Sequence, residues 1–309
     1  MPIETDEIIM AYRLFLDRDA SSAEIRTMSL NIKDVAHLRR VFFESPEFQA
    51  QLGLNRSNPG VRPEAVIHVH VPKTAGTSLN EILLRNHAPD AVLQIAIHEM
   101  GKLLALSPDD RRKVKVLMGH LQYGVARHLP QASVYVAVLR DPAPRIFSFY
   151  RFILRTDTHP LHQKFVSAGL SFGGFLRCAL DDAGIRLEID NGQTRRLAGQ
   201  MLIPAVDYRT MFATAMRNIA MPEMIIGTTE RFEALLYTLW TRGLIADAEN
   251  CFENVSGESD RYAAAVQSLD AEEHGLMESY CYWDRLLHQA ANLLVDGTQC
   301  DIPEAVAVA

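Results

Sequence analysis

Residues 66–79 read VIHVHVPKTAGTSL, and this stretch decides the fold. Its first half alternates valine and isoleucine with histidine, which predicts a buried β-strand. Its second half is a short loop of lysine, threonine, alanine and glycine, after which a helical pattern begins at Ser78. A strand, a loop and a helix in this order present backbone N–H groups and a helix N-terminus to one anion. The stretch therefore predicts the phosphate-binding turn of an α/β domain.

The side chains of this loop suit an anionic ligand. Gly76 allows a close approach, Thr77 and Ser78 add hydroxyl donors, and Lys73 adds a positive charge. The ATP-binding pattern GxxxxGK[ST] is absent, because here the lysine precedes the glycine. An ordinary strand–turn–helix connection with an incidental lysine is the alternative. The complete PKTAGTS string directly after a hydrophobic strand favours a binding site.

A second predicted strand also ends in charged residues. Residues 134–139 (VYVAVL) predict a buried strand, which Arg140 and Asp141 follow before a helical stretch begins. Arg140 at the carboxyl end of a strand reaches the crevice where α/β sheets bind ligands. Ser148 lies two helical turns further on, and an arginine with a serine hydroxyl suits a second, separate phosphate. A local salt bridge between Arg140 and Asp141 is the alternative.

Short apolar runs alternate with helical patterns through most of the chain. Strands are predicted at 65–71, 114–118, 133–139 and 224–227, and helices at 78–85, 144–155, 173–181, 231–241 and 271–294. This alternation predicts an α/β, P-loop-like domain with a mainly parallel central sheet flanked by helices. From residue 296 onward the sequence carries no helical signal.

The beginning of the chain has a different pattern. Residues 6–52 show helical apolar faces, and Ser21 followed by Glu24 suits the first turn of a helix. We therefore expect a small helical module over 1–56, a linker over 57–63, the main domain over 64–298 and a loose tail over 299–309.

Composition and charge limit the possible partners. The 309 residues carry a formal net charge of −7, which argues against non-specific binding to nucleic acid or anionic membrane. No apolar core follows the acidic N-terminus, and no apolar run is long enough to span a bilayer. We therefore expect a cytoplasmic protein that has no transmembrane segment and does not bind nucleic acid. The sequence leaves its oligomeric state open.

Taken together and in this order, PKTAGTS (72–78) and RDPAPRIFSFY (140–150) resemble the nucleotide-binding elements of sulfotransferases that use 3′-phosphoadenosine-5′-phosphosulfate (PAPS). The sequence is most similar to the carbohydrate branch, which includes heparan sulfate 2-O- and 6-O-sulfotransferases. The resemblance covers residues 64–298. It implies that Arg140 and Ser148 hold the 3′-phosphate, and that the loop residues hold the 5′ end of PAPS: Lys73, Thr74, Ala75, Gly76, Thr77 and Ser78.

Three further stretches resemble the same branch: NGQTRRLAG (191–199), IGTTERF (226–232) and NVS (254–256). The last implies that Asn254 belongs to a loop that closes over the nucleotide. Arg195 and Arg196 in the first stretch either bind an anionic acceptor or form a salt-bridged surface, and the sequence leaves both open. The nearby charge run of Asp181, Asp182, Glu188 and Asp190 is expected to be a solvated loop.

Two departures from the family stand at the N-terminus. The animal members carry an N-terminal membrane anchor that this sequence lacks, so their substrate and compartment do not transfer to it. The strings YRLFLDRD and SPEF instead resemble a small helical domain of bacterial multidomain proteins.

Residues 116–120 (VLMGH) place His120 at the end of a buried strand, where parallel sheets form active sites. The ordinary pKa of histidine suits a base that deprotonates an attacking hydroxyl. The carbohydrate sulfotransferases use a histidine in a comparable position, so His120 is the predicted base, with a structural histidine as the alternative. His68 and His70 alternate with valines and share one face of a strand, where packing or polar contacts are favoured over a metal pair.

The resemblance, together with these residues, implies an enzyme that transfers a sulfuryl group from PAPS to a hydroxyl of a carbohydrate or glycoconjugate. Lys73 stabilises the departing phosphate, His120 is the base, and no metal is required. An ATP-dependent kinase is an alternative, disfavoured by the missing GxxxxGK[ST] and the lack of an acidic strand end suited to magnesium. A non-catalytic nucleotide- or glycan-binding protein of the same fold, and an adaptor that acts through its N-terminal module, remain open.

Overall fold

The computed structural model describes residues 4–16, 18–34, 63–203, 206–248 and 258–299, together with residues 37, 38, 41, 42, 45 and 47. Its five strands are β1 (Ala65–Val69), β2 (Val92–Gln94), β3 (Val116–Gly119), β4 (Ser133–Leu139) and β5 (Met224–Thr228). They form one sheet in the order β2-β3-β1-β4-β5. Every neighbouring pair is parallel.

Helices cover both faces of this sheet. Those of the N-terminal part are α1 (Thr5–Leu16) and α2 (Ser22–Asn31). Those that follow β1 are α3 (Gly76–Asn86), α4 (Met100–Leu104), α5 (Pro108–Lys113), α6 (Pro142–Arg155), α7 (His162–Ser167), α8 (Phe172–Asp181), α9 (Ala183–Ile189), α10 (Gly192–Ala198), α11 (Tyr208–Ile219), α12 (Phe232–Thr241), α13 (Glu258–Gln267) and α14 (Ala271–Gln299). Short 3-10 turns lie at Pro89–Ala91, Ile97–Glu99, Val125–His128 and Thr229–Arg231.

Successive residues of β1 belong to different halves of the core. Val66 packs in a cluster with Leu79 and Ile82 of α3. Ile67, on the opposite face, belongs to a cluster with Leu287 of α14. A parallel strand covered on both faces reads as a nearly continuous apolar run, which is why these strands were recognisable in the sequence. Burial of each large apolar side chain stabilises the fold by about 1.5–3 kcal/mol.

The parallel arrangement brings the functional segments to one edge of the sheet. The loop after β1 lies at this edge, and His120, Arg140 and Thr229 directly follow β3, β4 and β5. Since the carboxyl ends of parallel strands lie at the same edge of a sheet, these residues are brought to one side of the domain.

The predicted α/β fold class with a parallel sheet is confirmed, and all four predicted strands are present. The edge strand β2 was missed, because it is only three residues long and none of them is fully buried. The long C-terminal helix continues to Gln299, so the expected loss of helix from residue 296 is wrong. Helix propagation tolerates a few weak helix formers at the end of a long helix, which explains the extension.

The capping signal near the N-terminus is confirmed. The Ser21 hydroxyl accepts a hydrogen bond from the Glu24 N–H at 3.3 Å, and the Ser21 N–H donates to the Glu24 carboxylate at 2.8 Å. Ile8 and Tyr12 of α1 are buried in the same apolar cluster as Ile67 of β1. The predicted linker up to residue 62 and the tail beyond 299 lie outside the described residues. Within the described part of the chain, no helix is both long and apolar enough to cross a membrane.

Candidate functional site

A cleft of about 1490 Å³ opens at the carboxyl edge of the sheet. It brings together most of the predicted site residues, among them Lys73, Gly76, Ser78, His120, Arg140 and Ser148. Ligand pockets usually measure roughly 300–1,000 Å³. The cleft therefore has room for two substrates side by side.

The loop after β1 has the backbone of an anion-binding turn. Lys73 and Ala75 adopt left-handed conformations, with φ of 69° and 60°. This conformation costs about 1–2 kcal/mol for a residue with a Cβ, and such strain is characteristic of binding loops. Ala75 is the N-cap of α3 and has no side chain that could cap it. The first N–H groups of α3 are consequently left for a ligand, beside the hydroxyls of Thr77 and Ser78.

Gly76 is required by the close approach of a histidine ring. A Cβ at this position would lie 2.1 Å from Cδ2 and 2.4 Å from Nε2 of His70. No side chain fits at such distances, so the glycine lets the His70 ring pack directly over the start of α3.

Lys73 and Thr74 point in different directions. The Lys73 ammonium lies 4.5 Å from the centre of the Phe152 ring, on the α6 side of the cleft. A cation over an aromatic face is held by about 0.5–1 kcal/mol. Thr74 is fully buried, and its hydroxyl donates to the Val71 carbonyl at 2.9 Å. The Thr74 side chain therefore stabilises the loop through this hydrogen bond and does not line the cleft.

Arg140 connects the two predicted anion-binding elements. Its guanidinium Nη1 donates to the backbone carbonyl of Lys73 at 3.3 Å. The neighbouring Asp141 carboxylate accepts from the Ala143 N–H and thereby caps α6. Ser148 lies on α6, buried at the floor of the same cleft. Arg140 thus contacts the loop directly, and Ser148 lines the same cleft from α6.

The backbone of Arg140 is fixed by Gln193. The Arg140 N–H donates to Oε1 of Gln193 at 3.0 Å, and Nε2 of Gln193 donates to the Arg140 carbonyl at 2.9 Å. Asp284 of α14 in turn accepts from the backbone N–H groups of Gln193 and Thr194, at 3.1 and 2.7 Å. Asp284 is fully buried and lies 3.7 Å from the Arg145 guanidinium. This buried network therefore ties the end of β4 to the C-terminal helix.

The tautomer of His120 follows from one contact. Its Nδ1 lies 3.2 Å from the His70 carbonyl oxygen, which only accepts hydrogen bonds. Nδ1 therefore carries the proton, and Nε2 keeps a free electron pair. Desolvation in the cleft and the positive charge of Arg196 lower the pKa of His120 below its ordinary value, against the opposing effect of Glu188. The ring is thus neutral at pH 7 and able to accept a proton.

The structure corrects the expectation for the two adjacent arginines. Arg195 is buried, and its guanidinium donates to the Asp190 carboxylate at 3.3 Å and to the Ile203 carbonyl at 3.1 Å. Arg196 is also buried, forms an ion pair with Glu188 and donates to the Leu121 carbonyl at 3.3 Å. Both arginines are salt-bridged, but inside the protein and not on its surface. Neither lines the cleft, so neither supports the predicted contact with an anionic acceptor.

The charge run before these arginines is not a solvated loop. Asp182 caps α9 by accepting from two of its N–H groups, and Glu188 and Asp190 are the partners of the buried arginines. Burial opposes ionisation of Glu188, but Arg196 and Arg145 hold its pKa below the ordinary value. Glu188 also lines the cleft. Of the four, Asp181 alone is exposed. For the other three the expectation failed, because the sequence does not reveal the partners that the fold gives them.

Several cleft residues had no assigned role at the site in the sequence. They include His70, Phe152, Glu188, Glu230 and Tyr262. Glu230 lies just after β5, and that position alone could have identified it. Burial opposes its ionisation, yet the hydrogen bond from His288 at 3.0 Å lowers the pKa of Glu230 to about 2. Tyr262 carries no signal in the sequence, since it reaches the cleft from a helix distant along the chain.

Two further predictions concern other groups. His68 and His70 do share one face, with parallel rings 5.4 Å apart. Within the described residues, no group of three histidine, cysteine or acidic side chains is arranged to hold a metal ion. Asn254 lies outside the described residues, so its predicted role stays a prediction.

Comparison with known proteins supports one assignment. Residues 62–208 match a family model described as the sulfotransferase family. This segment contains the loop after β1, His120, Arg140 and Ser148. Comparison with curated proteins gives no match.

Proposed function

We propose that this protein, whose residues 62–208 belong to the sulfotransferase family, transfers a sulfuryl group from PAPS to a hydroxyl of a carbohydrate. The observation that carries the proposal is the pair of anion-binding elements in one cleft, joined by the contact between Arg140 and the Lys73 carbonyl. PAPS has a phosphosulfate at its 5′ end and a separate phosphate on its 3′ hydroxyl. A donor of this kind needs two sets of hydrogen-bond donors that are close together but distinct.

The residues fit the two ends of PAPS in a definite way. Lys73, the hydroxyls of Thr77 and Ser78 and the N-terminus of α3 suit the 5′-phosphosulfate. Arg140 and Ser148 suit the 3′-phosphate, since an arginine fork and a hydroxyl both donate to phosphate oxygens. ATP carries all its phosphates in one 5′ chain and would leave the second set unused.

The proposed chemistry is an in-line displacement. Nε2 of His120 accepts the proton of the acceptor hydroxyl as the new bond forms between its oxygen and the sulfur. The bond from sulfur to the 5′-phosphate oxygen breaks, and its electron pair stays on that phosphate. Lys73 and the N-terminus of α3 stabilise this negative charge where it develops. Deprotonation of the acceptor and stabilisation of the leaving phosphate thus each have a suitable group in the cleft.

A carbohydrate acceptor is supported by the resemblance to the carbohydrate branch and by the rest of the cleft. Beyond the anion-binding elements, the lining includes Phe152, His159, Asp182 and Glu188. Aromatic rings pack against the apolar faces of sugars, and carboxylates accept hydrogen bonds from sugar hydroxyls. This composition suits a polar, ring-shaped acceptor.

Calorimetric titration with 3′-phosphoadenosine-5′-phosphate (PAP), without added metal, tests the donor site. We expect PAP to bind at least roughly tenfold more tightly than ATP or ADP, a difference of about 1.4 kcal/mol. Lys73→Ala should weaken PAP binding, whereas Lys113→Ala, which removes an exposed lysine of α5 outside the cleft, should not. A preference for ATP, especially one that needs magnesium, would overturn the proposal in favour of a kinase. A screen of oligosaccharides with PAPS then tests the acceptor class.

A further inference from the structure

We infer that His70 is a second catalytic residue, whose Nε2–H donates a hydrogen bond to the transferred sulfuryl group, and that Asn80 fixes the tautomer this requires. The inference rests on the proposed sulfuryl transfer. It concerns a ring for which the sequence suggested packing or polar contacts only.

A chain of hydrogen bonds sets the His70 ring. Nδ1 of His68 lies 2.7 Å from Oδ1 of Asn80, and Nδ2 of Asn80 lies 3.4 Å from Nδ1 of His70. An amide oxygen only accepts and an amide nitrogen only donates. Nδ1 of His68 therefore carries a proton, Nδ1 of His70 accepts one hydrogen bond, and the His70 proton resides on Nε2.

His68 holds Asn80 in this orientation. It is completely buried, and burial lowers its pKa to about 4, so the ring is neutral at pH 7. Among the described residues, its Nε2 has no hydrogen-bond partner. Its polar contact is thus made through Nδ1, toward Asn80. We therefore assign His68 the role of orienting the Asn80 side chain, which in turn contacts His70.

His70 is also neutral, which separates its role from that of a base. Burial lowers its pKa to about 2, and the positive charges of Arg196 and Lys73 act in the same direction. A ring with so low a pKa gains no proton during turnover near pH 7. It can act as a donor through Nε2, while His120 with its free Nε2 pair acts as the acceptor.

His70 lies near the place where the sulfuryl group is proposed to be transferred. Its Nε2 lies over Gly76 at the start of α3, where the 5′-phosphate is proposed to bind. Its ring centre is 4.9 Å from that of His120, the proposed base. In an in-line displacement the sulfur passes between the leaving and the attacking oxygen, and its other oxygens gather charge. His70 lies next to both Gly76 and His120, so a hydrogen bond donated from its Nε2 to these oxygens stabilises that charge.

Kinetics with PAPS and an accepted oligosaccharide test the donor. We expect His70→Ala to lower kcat by roughly 10²–10³-fold, the usual effect of losing one such donor. His70→Gln places an amide N–H near the position of Nε2 and should recover most of the activity. PAP lacks the sulfuryl group, so both variants should bind PAP like the unchanged protein, which also shows that they fold. His87→Ala, outside the cleft, is the matched control.

Nitrogen-15 NMR of histidine-labelled protein tests the role of Asn80 without any turnover. The signals of His70, identified by their loss in His70→Gln, should report the Nε2–H tautomer. In Asn80→Ala they should shift toward a mixture of tautomers, with kcat reduced and KM for PAPS little changed. An Nδ1–H tautomer or an imidazolium in the unchanged protein would overturn the inference.

The outcomes separate the two proposals. Absence of PAP binding and of transfer in the unchanged protein would defeat the proposed function, and the inference with it. Normal transfer by the unchanged protein together with full kcat in His70→Ala would defeat the inference alone.

Discussion

The side-chain amide of Gln193 hydrogen-bonds both backbone groups of Arg140, accepting from its N–H at 3.0 Å and donating to its carbonyl at 2.9 Å. The Gln193 side chain, on helix α10, thereby pairs with the backbone of the residue that follows β4. Since Arg140 reaches from this point to the Lys73 carbonyl, the geometry of both anion-binding elements depends on a residue outside the cleft lining. Gln193 is therefore a positioning residue for the proposed 3′-phosphate site.

Replacing Gln193 by alanine removes both of these hydrogen bonds. At about 0.5–1.5 kcal/mol each, their loss should destabilise the fold by about 1–3 kcal/mol. The freed end of β4 should also weaken PAP binding by roughly tenfold, about 1.4 kcal/mol. Urea unfolding and calorimetry measure the two effects. Gln163→Ala, at an exposed site on α7, is the control. Unchanged PAP affinity in Gln193→Ala would show that Arg140 is positioned by other contacts.

Asp284→Ala should be the most damaging substitution outside the cleft. The Asp284 carboxylate accepts from the Thr194 hydroxyl and from two backbone N–H groups, and it is the ion-pair partner of Arg145. Removing one member of a buried ion pair usually costs about 3–5 kcal/mol, because the other charge stays buried without a partner. The free energy of unfolding in urea measures this loss.

Two control variants set the scale for Asp284→Ala. Asp284→Asn keeps an acceptor for the N–H groups and should lose less stability. Asp181→Ala, at an exposed position, should change the free energy of unfolding by less than about 0.5 kcal/mol. An Asp284→Ala protein as stable as Asp181→Ala would contradict the importance of the buried network.

The parts of the site that the sequence could predict are those built locally. Lys73, His120 and Arg140 each follow a hydrophobic run directly, so recognising the run was enough to place the residue at the carboxyl end of a strand. Parallel strands then bring all such ends to one edge. No knowledge of distant contacts was needed for this step.

The parts that the sequence could not predict depend on partners that only the folded chain brings together. Gln193 and Arg140 are 53 positions apart, and nothing in either segment indicates that they meet. Arginines usually lie on the surface, so the sequence favours an exposed position for Arg195 and Arg196. Only the folded chain shows that each is buried beside an acidic partner. The orientation of Asn80 between two histidines likewise depends on the packing of α3 against β1.

The pH dependence of transfer should report the environment of His120. A base acts when unprotonated, so kcat/KM should be level near about pH 7–8 and fall roughly tenfold per pH unit below the pKa of His120. Desolvation and Arg196 hold that pKa below 6.5, so the fall should begin on the acid side of this value. A fall that begins above pH 7 would contradict this assignment of the base.

The same pH profile measured in Glu188→Gln checks that the acid limb belongs to His120. The Glu188 charge raises the pKa of His120, so its removal should lower that pKa further and move the limb to lower pH. Glu233→Gln, at an exposed position on α12 outside the cleft, is the matched control and should leave the profile unchanged. A shift to higher pH in Glu188→Gln would contradict the coupling between the two groups.

His120→Ala should strongly reduce transfer and leave the donor site intact. Loss of a general base typically lowers kcat by about 10²–10⁴-fold. The His120 ring hydrogen-bonds the His70 carbonyl, which precedes the loop, so PAP affinity should stay within about twofold of the unchanged protein, or about 0.4 kcal/mol. Single-turnover kinetics and calorimetry measure the two quantities. Retained transfer would remove His120 from the mechanism.

Gly76→Ala tests whether the His70 ring and the start of α3 are packed against each other. The new Cβ would lie 2.1 Å from Cδ2 of His70, so either the ring or the loop must move. We expect PAP affinity to fall by more than roughly tenfold, because the first N–H groups of α3 shift away from the proposed 5′-phosphate. If the His70 ring causes the clash, truncating it in the double variant His70→Ala/Gly76→Ala should restore much of the PAP affinity. A double-mutant cycle on calorimetric affinities measures this coupling. Additive losses would instead mean that Gly76 is required by the ligand alone.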